Sequence, residues 1–263
     1  MADIARDTGF VEIADRCWVA RSSSLDLNVG LVGGERGLLL VDTHASQSEA
    51  HRVVAQLRAL GAGDVVAVAN THGHAPHSSG NAVVAGSYGA PPVYAHEDAA
   101  ARAVTETFSS VRIVDLGDRV VELIHPGRGH SAGDAVVRVG DADVILAGDL
   151  VEESAARGAV PAYGEDCFPM EWPATLDLLI GLLTPGTVVV PGHGGPVGKE
   201  FVEEQRGAVG VVAETVRDLA GRGVPVHQAL AAAQWPYPAE ALGHAVRRGY
   251  EHLPRTSKTL PLI

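Results

Sequence analysis

Apolar residues run along the chain in two rhythms. The first forty positions hold short runs, VEIA, CWVAR, LNVGLVGG and GLLLVDT, separated by polar or glycine breaks, which predict consecutive strands. After VDT the period lengthens. In SQSEAHRVVAQLRALG, residues Ala50, Val53, Val54, Leu57 and Leu60 share one helical face, and Gly61 stands where a left-handed C-cap belongs. DVVAVANTH has no alternation and many valines, the pattern of a strand buried on both faces, and it carries the strand to His72. HSSGNAVVAG predicts a helix with Ser78 or Ser79 near its N-terminus, PPVYAH a strand, and EDAAARAVTETF another helix. VRIVDLGD, RVVELIHPG, DAVVRVGDAD and VILAGDL then predict strands joined by tight turns, with VGDAD as a hairpin turn and Asp149 closing the last strand.

A loop rich in Gly, Pro and acids spans residues 152–170. WPATLDLLIGLLT predicts a helix that accommodates Pro173 in its first turn. TVVVPGHGGP predicts a short buried strand ending in a glycine-rich turn. FVEEQRGAVGVVAETVRDLAGRG predicts the longest helix, and two shorter ones are expected near 226–233 and 238–252. Strand-rich and helix-rich segments thus occur twice in turn. That order predicts two packed sheets with helices outside.

Bulk composition narrows the classes. At 263 residues the chain is long enough for a substantial core. Aromatics are only 5%, so that core must rest on Val, Leu, Ala and Ile. A net charge of −12 argues against a nucleic-acid partner, since phosphate binding wants a basic face. No apolar run approaches the ~20 residues of a membrane span. The first residues lack the pattern of a signal peptide, so cytoplasm is the expected location. Cys17 and Cys167 make no metal motif and no disulfide framework.

The chemistry concentrates in NTHGHAPHSSGN, where His72, His74 and His77 fall within six positions. His130 lies in GRGHSAGD, Asp149 in LAGDL and His193 in PGHGG, each where an apolar strand gives way to a glycine or loop. A rigid sheet can present such groups to one cleft. Imidazoles with one or two carboxylates suit Zn²⁺, and less specifically Fe or Mn. Two positions apart in extended chain, His72 and His74 would point the same way. His44, His51, His96, His125, His227, His244 and His252 lack this setting and are read as structural.

LLLVDT, THGHAPH, GRGHSAGD, LAGDL and PGHGG, in this order, resemble the motifs of the metallo-β-lactamase-fold hydrolase superfamily over roughly residues 10–200. That superfamily includes glyoxalase II, lactonases, thioesterases and some polyketide-tailoring enzymes. The resemblance implies an α/β fold, an αββα sandwich over residues 1–200, with a helical C-terminal extension over 201–263 packed on it. It implies a first metal site of His72, His74 and His130, a second of His77 and His193, and Asp149 bridging both. It also implies Asp149 and His193 as catalytic groups, one or two zinc ions, and Asp42 orienting a histidine or the turn.

The family's motif is HxHxDH, and its Asp ligates the second metal. Here that position is Pro76, and Ala75 cannot substitute. Asp134, Glu165 and Asp166 are the acids that could replace it. In the family a metal-bound hydroxide attacks a carbonyl. The expected activity is therefore hydrolysis of an ester, thioester, lactone or amide in a small-molecule substrate, slowed by Pro76. The alternatives are an impaired member that binds a metal and a small molecule, and a non-hydrolytic cyclase or lyase. Tyr163, Cys167, Phe168 and Trp172, with Trp235 and Tyr237, are expected in the pocket walls. Oligomeric state is not encoded legibly.

Overall fold

The computed structural model describes residues 4–253. Four strands open the chain: β1 (Phe10–Ala14), β2 (Cys17–Arg21), β3 (Asn28–Gly34) and β4 (Gly37–Val41) form an antiparallel meander. Helix α1 (Gln47–Leu60) then crosses to β5 (Val65–Ala69), parallel to β4. Ser46 caps α1 by accepting the Glu49 N–H, and Gly61 ends it in the left-handed region at φ 66°. Two short helices, α2 (Ala75–Ser78) and α3 (Asn81–Ser87), lead to β6 (Val93–His96) and β7 (Glu106–Phe108). Together β1 to β7 form one sheet in sequence order.

The second sheet has the order β12-β11-β10-β9-β8, from β8 (Val111–Asp115), β9 (Val120–Ile124), β10 (Val136–Val139), β11 (Val144–Glu152) and β12 (Val188–His193). Between β11 and β12 lies α4 (Trp172–Gly181), and α5 (Lys199–Gly221), α6 (Val226–Ala229) and α7 (Gly243–His252) follow.

Period-two alternation decides what each strand buries. Val32, Leu39 and Val41 face the second sheet and meet Val121, Leu123, Val137 and Leu146 in the central core. Their neighbours Leu31, Leu38 and Leu40 face outward and pack under Val53, Val54 and Leu57 of α1. On the other side Val136, Ile145 and Val189 pack under Leu176 and Leu179 of α4 and Val202, Val209 and Val212 of α5. The result is the predicted αββα sandwich. The C-terminal helices continue its outer layer, with Val246 of α7 packed on Val216 and Leu219 of α5.

Local expectations failed at four places. EDAAARAVTETF is not a helix but a run of turns ending in β7. Its alanine-rich part lies against two glycine loops, so close that a Cβ on Gly133 would sit 2.2 Å from Ala99 N. Parallel pairing of Tyr94 with Glu106 then draws the remainder into the sheet, and tertiary contacts override helix propensity. Next, β5 stops at Ala69, and residues 71–74 form bends rather than extended chain. An unexpected short helix, α2, starts at Ala75 with Pro76 in its first turn, ahead of the expected one, α3, which begins at Asn81 just past Ser78 and Ser79. Finally, β11 does not stop at Asp149. It bends at Gly148, φ 55°, and runs on to Glu152.

Candidate metal centre

The polar groups singled out in the sequence meet along one edge of the two sheets. His72, His74 and His77 follow β5, His130 lies between β9 and β10, Asp149 lies on β11, and His193 ends β12. All but His74 are buried. Donor atoms of His72, His74 and His130 lie within 4.8 Å of one another, as do those of His72, His77 and Asp149.

Each imidazole is fixed by one nitrogen and turned inward by the other. His130 Nδ1 donates to the Ala162 carbonyl at 2.8 Å, and His193 Nδ1 to the Leu25 carbonyl at 2.7 Å. His77 Nδ1 donates to Asp42 Oδ2 at 2.7 Å, and His74 Nε2 to Asp166 Oδ2 at 2.9 Å. Thr71 gives its hydroxyl proton to Asp42 Oδ2 at 2.8 Å, so its Oγ1 can accept only from His72 Nδ1, 3.2 Å away. These partners set the tautomers. His72 Nε2, His74 Nδ1, His130 Nε2, His77 Nε2 and His193 Nε2 are left facing the cleft.

Asp149 divides between two groups. Its Oδ2 lies 3.5 Å from His130 Nε2 and 3.9 Å from His72 Nε2. Its Oδ1 lies 3.2 Å from His77 Nε2 and 3.4 Å from His193 Nε2. Gly192 makes room for it, and Gly148 makes room for Thr71. A Cβ on Gly192 would fall 1.9 Å from Asp149 Oδ1, and one on Gly148 would fall 2.6 Å from the Thr71 Cβ.

The electrostatics follow from burial and pairing. Burial holds His72 well below the usual histidine range and pushes His130 down to about 4, so both stand neutral with a lone pair available. The Asp166 carboxylate raises His74. Burial presses His77 down, but Asp149 and Asp42 on either side carry it up to about 10. Burial opposes the charge on Asp149, yet His77, His130 and His193 hold it well below the usual carboxylate range.

The first group of donors fits a zinc ion. His72 Nε2 is buried without a hydrogen-bond partner. His74 Nδ1 and His130 Nε2 face each other at 2.8 Å while their other nitrogens donate outward, so a proton or a cation must lie between them. Three imidazoles and a carboxylate oxygen are donors that suit zinc, which takes a water as well where its coordination expands to five.

In the second group His77 Nε2 and Asp149 Oδ1 are likewise buried without a hydrogen-bond partner, but the set is one donor short. Pro76, half-buried in the first turn of α2, offers no donor. The acids considered in its place are engaged or turned away. Asp134 accepts from the Ser131 and Gly129 N–H groups and the Ser131 hydroxyl, which pins the loop carrying His130. Asp166 holds His74 from the outside, and Glu165 is exposed. Arg157, which the sequence did not single out, points Nη1 at His193 Nε2, 3.3 Å away.

Asp42 does what was expected of it. In the left-handed region at φ 64°, it accepts from Thr71 N–H, the Thr71 hydroxyl and His77. The expected pocket walls differ. Trp172, Tyr163 and Cys167 are buried core beneath His130, with the Trp172 ring 6.0 Å from that imidazole. Burial pushes the Cys167 thiol up to about 12, so it stays protonated. Phe168 lies between the Arg128 and Arg248 guanidinium groups, while Trp235 and Tyr237 pack against the α4–α5 core. His96 and His125 stack on each other at 3.8 Å, away from the cluster.

Among solved structures, a metallo-beta-lactamase from Pontibacter korlensis superposes with a TM-score of 0.66 at 20% identity, covering 76% of this chain and 98% of its own. TMB-1 gives 0.65 at 18% identity, covering 78% and 97%, and the DIM-1 metallo-beta-lactamase gives 0.66 at 16%, covering 77% and 96%. At such identities the likeness is one of fold. The sequence model of the metallo-beta-lactamase superfamily matches residues 25–194, more than half of the chain, from the turn before β3 to just past His193. The chain therefore belongs to the metallo-beta-lactamase superfamily.

Proposed function

We propose that this protein is a metal-dependent hydrolase that opens an ester, thioester, lactone or amide bond of a small-molecule substrate. Its catalytic ion is zinc, with Fe or Mn compatible with the same donors, held by His72, His74, His130 and Asp149. The observation that carries this reading is the inward turn of five imidazoles, each tied by its other nitrogen to an acceptor on the protein. Bound there, the ion polarises a carbonyl and lowers the pKa of its water to ~7.

The chain's own residues do the rest. Asp149 is the carboxylate within reach of both groups of histidines, and it is the proton acceptor of the site. His77, charged between Asp42 and Asp149, pairs with the Asp149 Oδ1 at 3.2 Å. The bare Cα of Gly192 leaves room for that carboxylate at the junction. Trp172 and Tyr163 seal the underside of His130 from water.

Pro76 favours a second, related reading. Where the family's motif has an orienting carboxylate, this chain has none, and lost positioning costs orders of magnitude in rate. Turnover is then slow, or confined to a substrate that brings its own polar groups. At the limit the protein binds a metal and a small molecule without converting it.

The test is a panel of aryl esters, thioesters, lactones and amides offered to chelator-treated and zinc-reconstituted protein in ¹⁸O-water. The proposal expects zinc-dependent product carrying one solvent oxygen, abolished in His130→Ala. Zinc-independent turnover, or a product without solvent oxygen, contradicts it. Zinc binding with no turnover on any substrate selects the second reading.

A further inference from the structure

Beside the proposed catalytic ion the structure shows a cation of its own. Arg157 ends a single 3₁₀ turn, Ala155–Arg157, just beyond β11. The turn is closed by the Arg157 N–H on the Ser154 carbonyl and by Gly158 at φ 74°. Its guanidinium is held from two sides. Nε pairs with Glu152 Oε2 at 2.9 Å, and Nη1 reaches His193 Nε2 at 3.3 Å.

Neither partner is a surface accident. Glu152 is 1% exposed and fixed at the end of β11, where its N–H donates to Gln205 Oε1 and its Oε1 accepts the Ser154 N–H. A carboxylate so enclosed calls for a counter-charge, and Arg157 provides one. His193 donates Nδ1–H to the Leu25 carbonyl, so its Nε2 has only a lone pair to offer. That lone pair, the one a second metal ion would need, accepts from Arg157. The guanidinium also brings a positive charge to the place where a second positive ion would sit, and like charges at such distances repel strongly away from bulk water. The position that would offset this with a further carboxylate is Pro76. Loss of a donor and gain of a cation therefore fall on the same group, His77, Asp149 and His193.

We infer that Arg157 takes the place of the second metal ion: tethered by Glu152, it is the fixed cation opposite the first site, and the chain holds one ion, not two. The inference rests on the reading that His72, His74, His130 and Asp149 hold an ion. It also sets the chemistry of this half of the site. A guanidinium has five N–H donors and no open coordination position. It can pair with an anionic oxygen of the substrate, or with one that becomes anionic as a carbonyl is attacked, but it cannot bind and activate a second water.

The experiment is zinc stoichiometry by elemental analysis and by calorimetric titration. The proteins are the wild type, Arg157→Gln and the double variant Pro76→Asp with Arg157→Gln, each checked for folding by circular dichroism. The wild type is expected to retain one zinc per chain. The double variant is expected to take up a second, tightened by roughly tenfold or more over any second event in the wild type, the scale on which groups beside metal ligands act. Two tight ions in the wild type overturn this inference and leave the hydrolase reading standing. A folded double variant that still binds one ion also overturns it, because Arg157 and Pro76 are then not what keeps the second away. No ion in the wild type overturns the hydrolase reading and this inference with it. Should the double variant not fold, Arg157→Gln alone decides: a measurable second binding event supports the inference, and its absence counts against it.

Discussion

Asp166 is the anchor of His74, and removing it separates metal affinity from folding. Asp166→Ala deletes the acceptor 2.9 Å from His74 Nε2 and touches no other side chain that holds the donor set. The Asp166 side chain is 56% exposed and that of His74 34%, so their pair adds little to stability, ~0–1 kcal/mol. Its value lies in fixing which nitrogen of His74 faces the ion. Carboxylates in that position contribute roughly 10–100-fold in metal affinity, about 1.4–2.7 kcal/mol. Competition with a fluorescent chelator should show zinc affinity falling by that factor, while thermal melting of the metal-free protein is nearly unchanged. Asp166→Asn, which keeps an acceptor oxygen without the charge, should fall between the two. Wild-type zinc affinity in Asp166→Ala would show that Asp166 does not orient His74, as would a loss of affinity that merely follows a large fall in melting temperature.

Three other perturbations address the scaffold around the donors. Gly192→Ala puts a methyl group 1.9 Å from Asp149 Oδ1, so zinc affinity should fall by roughly tenfold or more with the circular dichroism spectrum intact, and unaltered zinc binding would contradict this. Asp42→Asn exchanges one acceptor of a buried carboxylate that takes the Thr71 N–H, the Thr71 hydroxyl and His77 Nδ1. Leaving one of those donors unmet should cost ~1–3 kcal/mol, read as a lower melting temperature, and an unchanged melt would count against the network. Asp26 accepts from Arg21, Arg6 and the Ser154 hydroxyl, and although burial opposes its charge these partners hold it well below the usual carboxylate range. Because its folded value is depressed, its stabilisation is complete above the unfolded value of ~3.9 and drains away as pH falls below it. Asp26→Asn should therefore melt lower than the wild type at neutral pH, with the gap narrowing in acid, and a gap independent of pH would exclude this assignment.

How much of this was legible in the sequence depended on whether the cause was local. Helix α1 was readable because its apolar face, Ser46 and Gly61 all lie within one stretch of chain. The pairs β8–β9 and β10–β11 were readable because short turns join them, whereas β9 and β10 are joined by the longer loop that carries His130. The proposed metal donors were legible as a set because each follows an apolar run in the sequence. EDAAARAVTETF misled because nothing in its own pattern announces the glycine loops at Gly73 and Gly133 that press on Ala99 and Ala100. The extended geometry expected for His72 and His74 was wrong, yet both reach one ligand group, since their side chains are aimed by Thr71 and Asp166 rather than by strand pleat. The anchors were the least legible part. Leu25 and Ala162 act through backbone carbonyls, which no side-chain pattern records. Arg157 reads as one more charge in an irregular loop until β11 and β12 bring Glu152 beside His193.

The proposed centre holds one ion among His72, His74, His130 and Asp149 and no second ion beyond it. Anomalous diffraction at the zinc edge, from crystals grown with zinc, locates ions directly. One strong peak is expected, bounded by His72 Nε2, His74 Nδ1, His130 Nε2 and Asp149 Oδ2, with the Arg157 guanidinium still against His193. A comparable peak between His77 and His193, or no peak among the first four residues, would contradict that expectation.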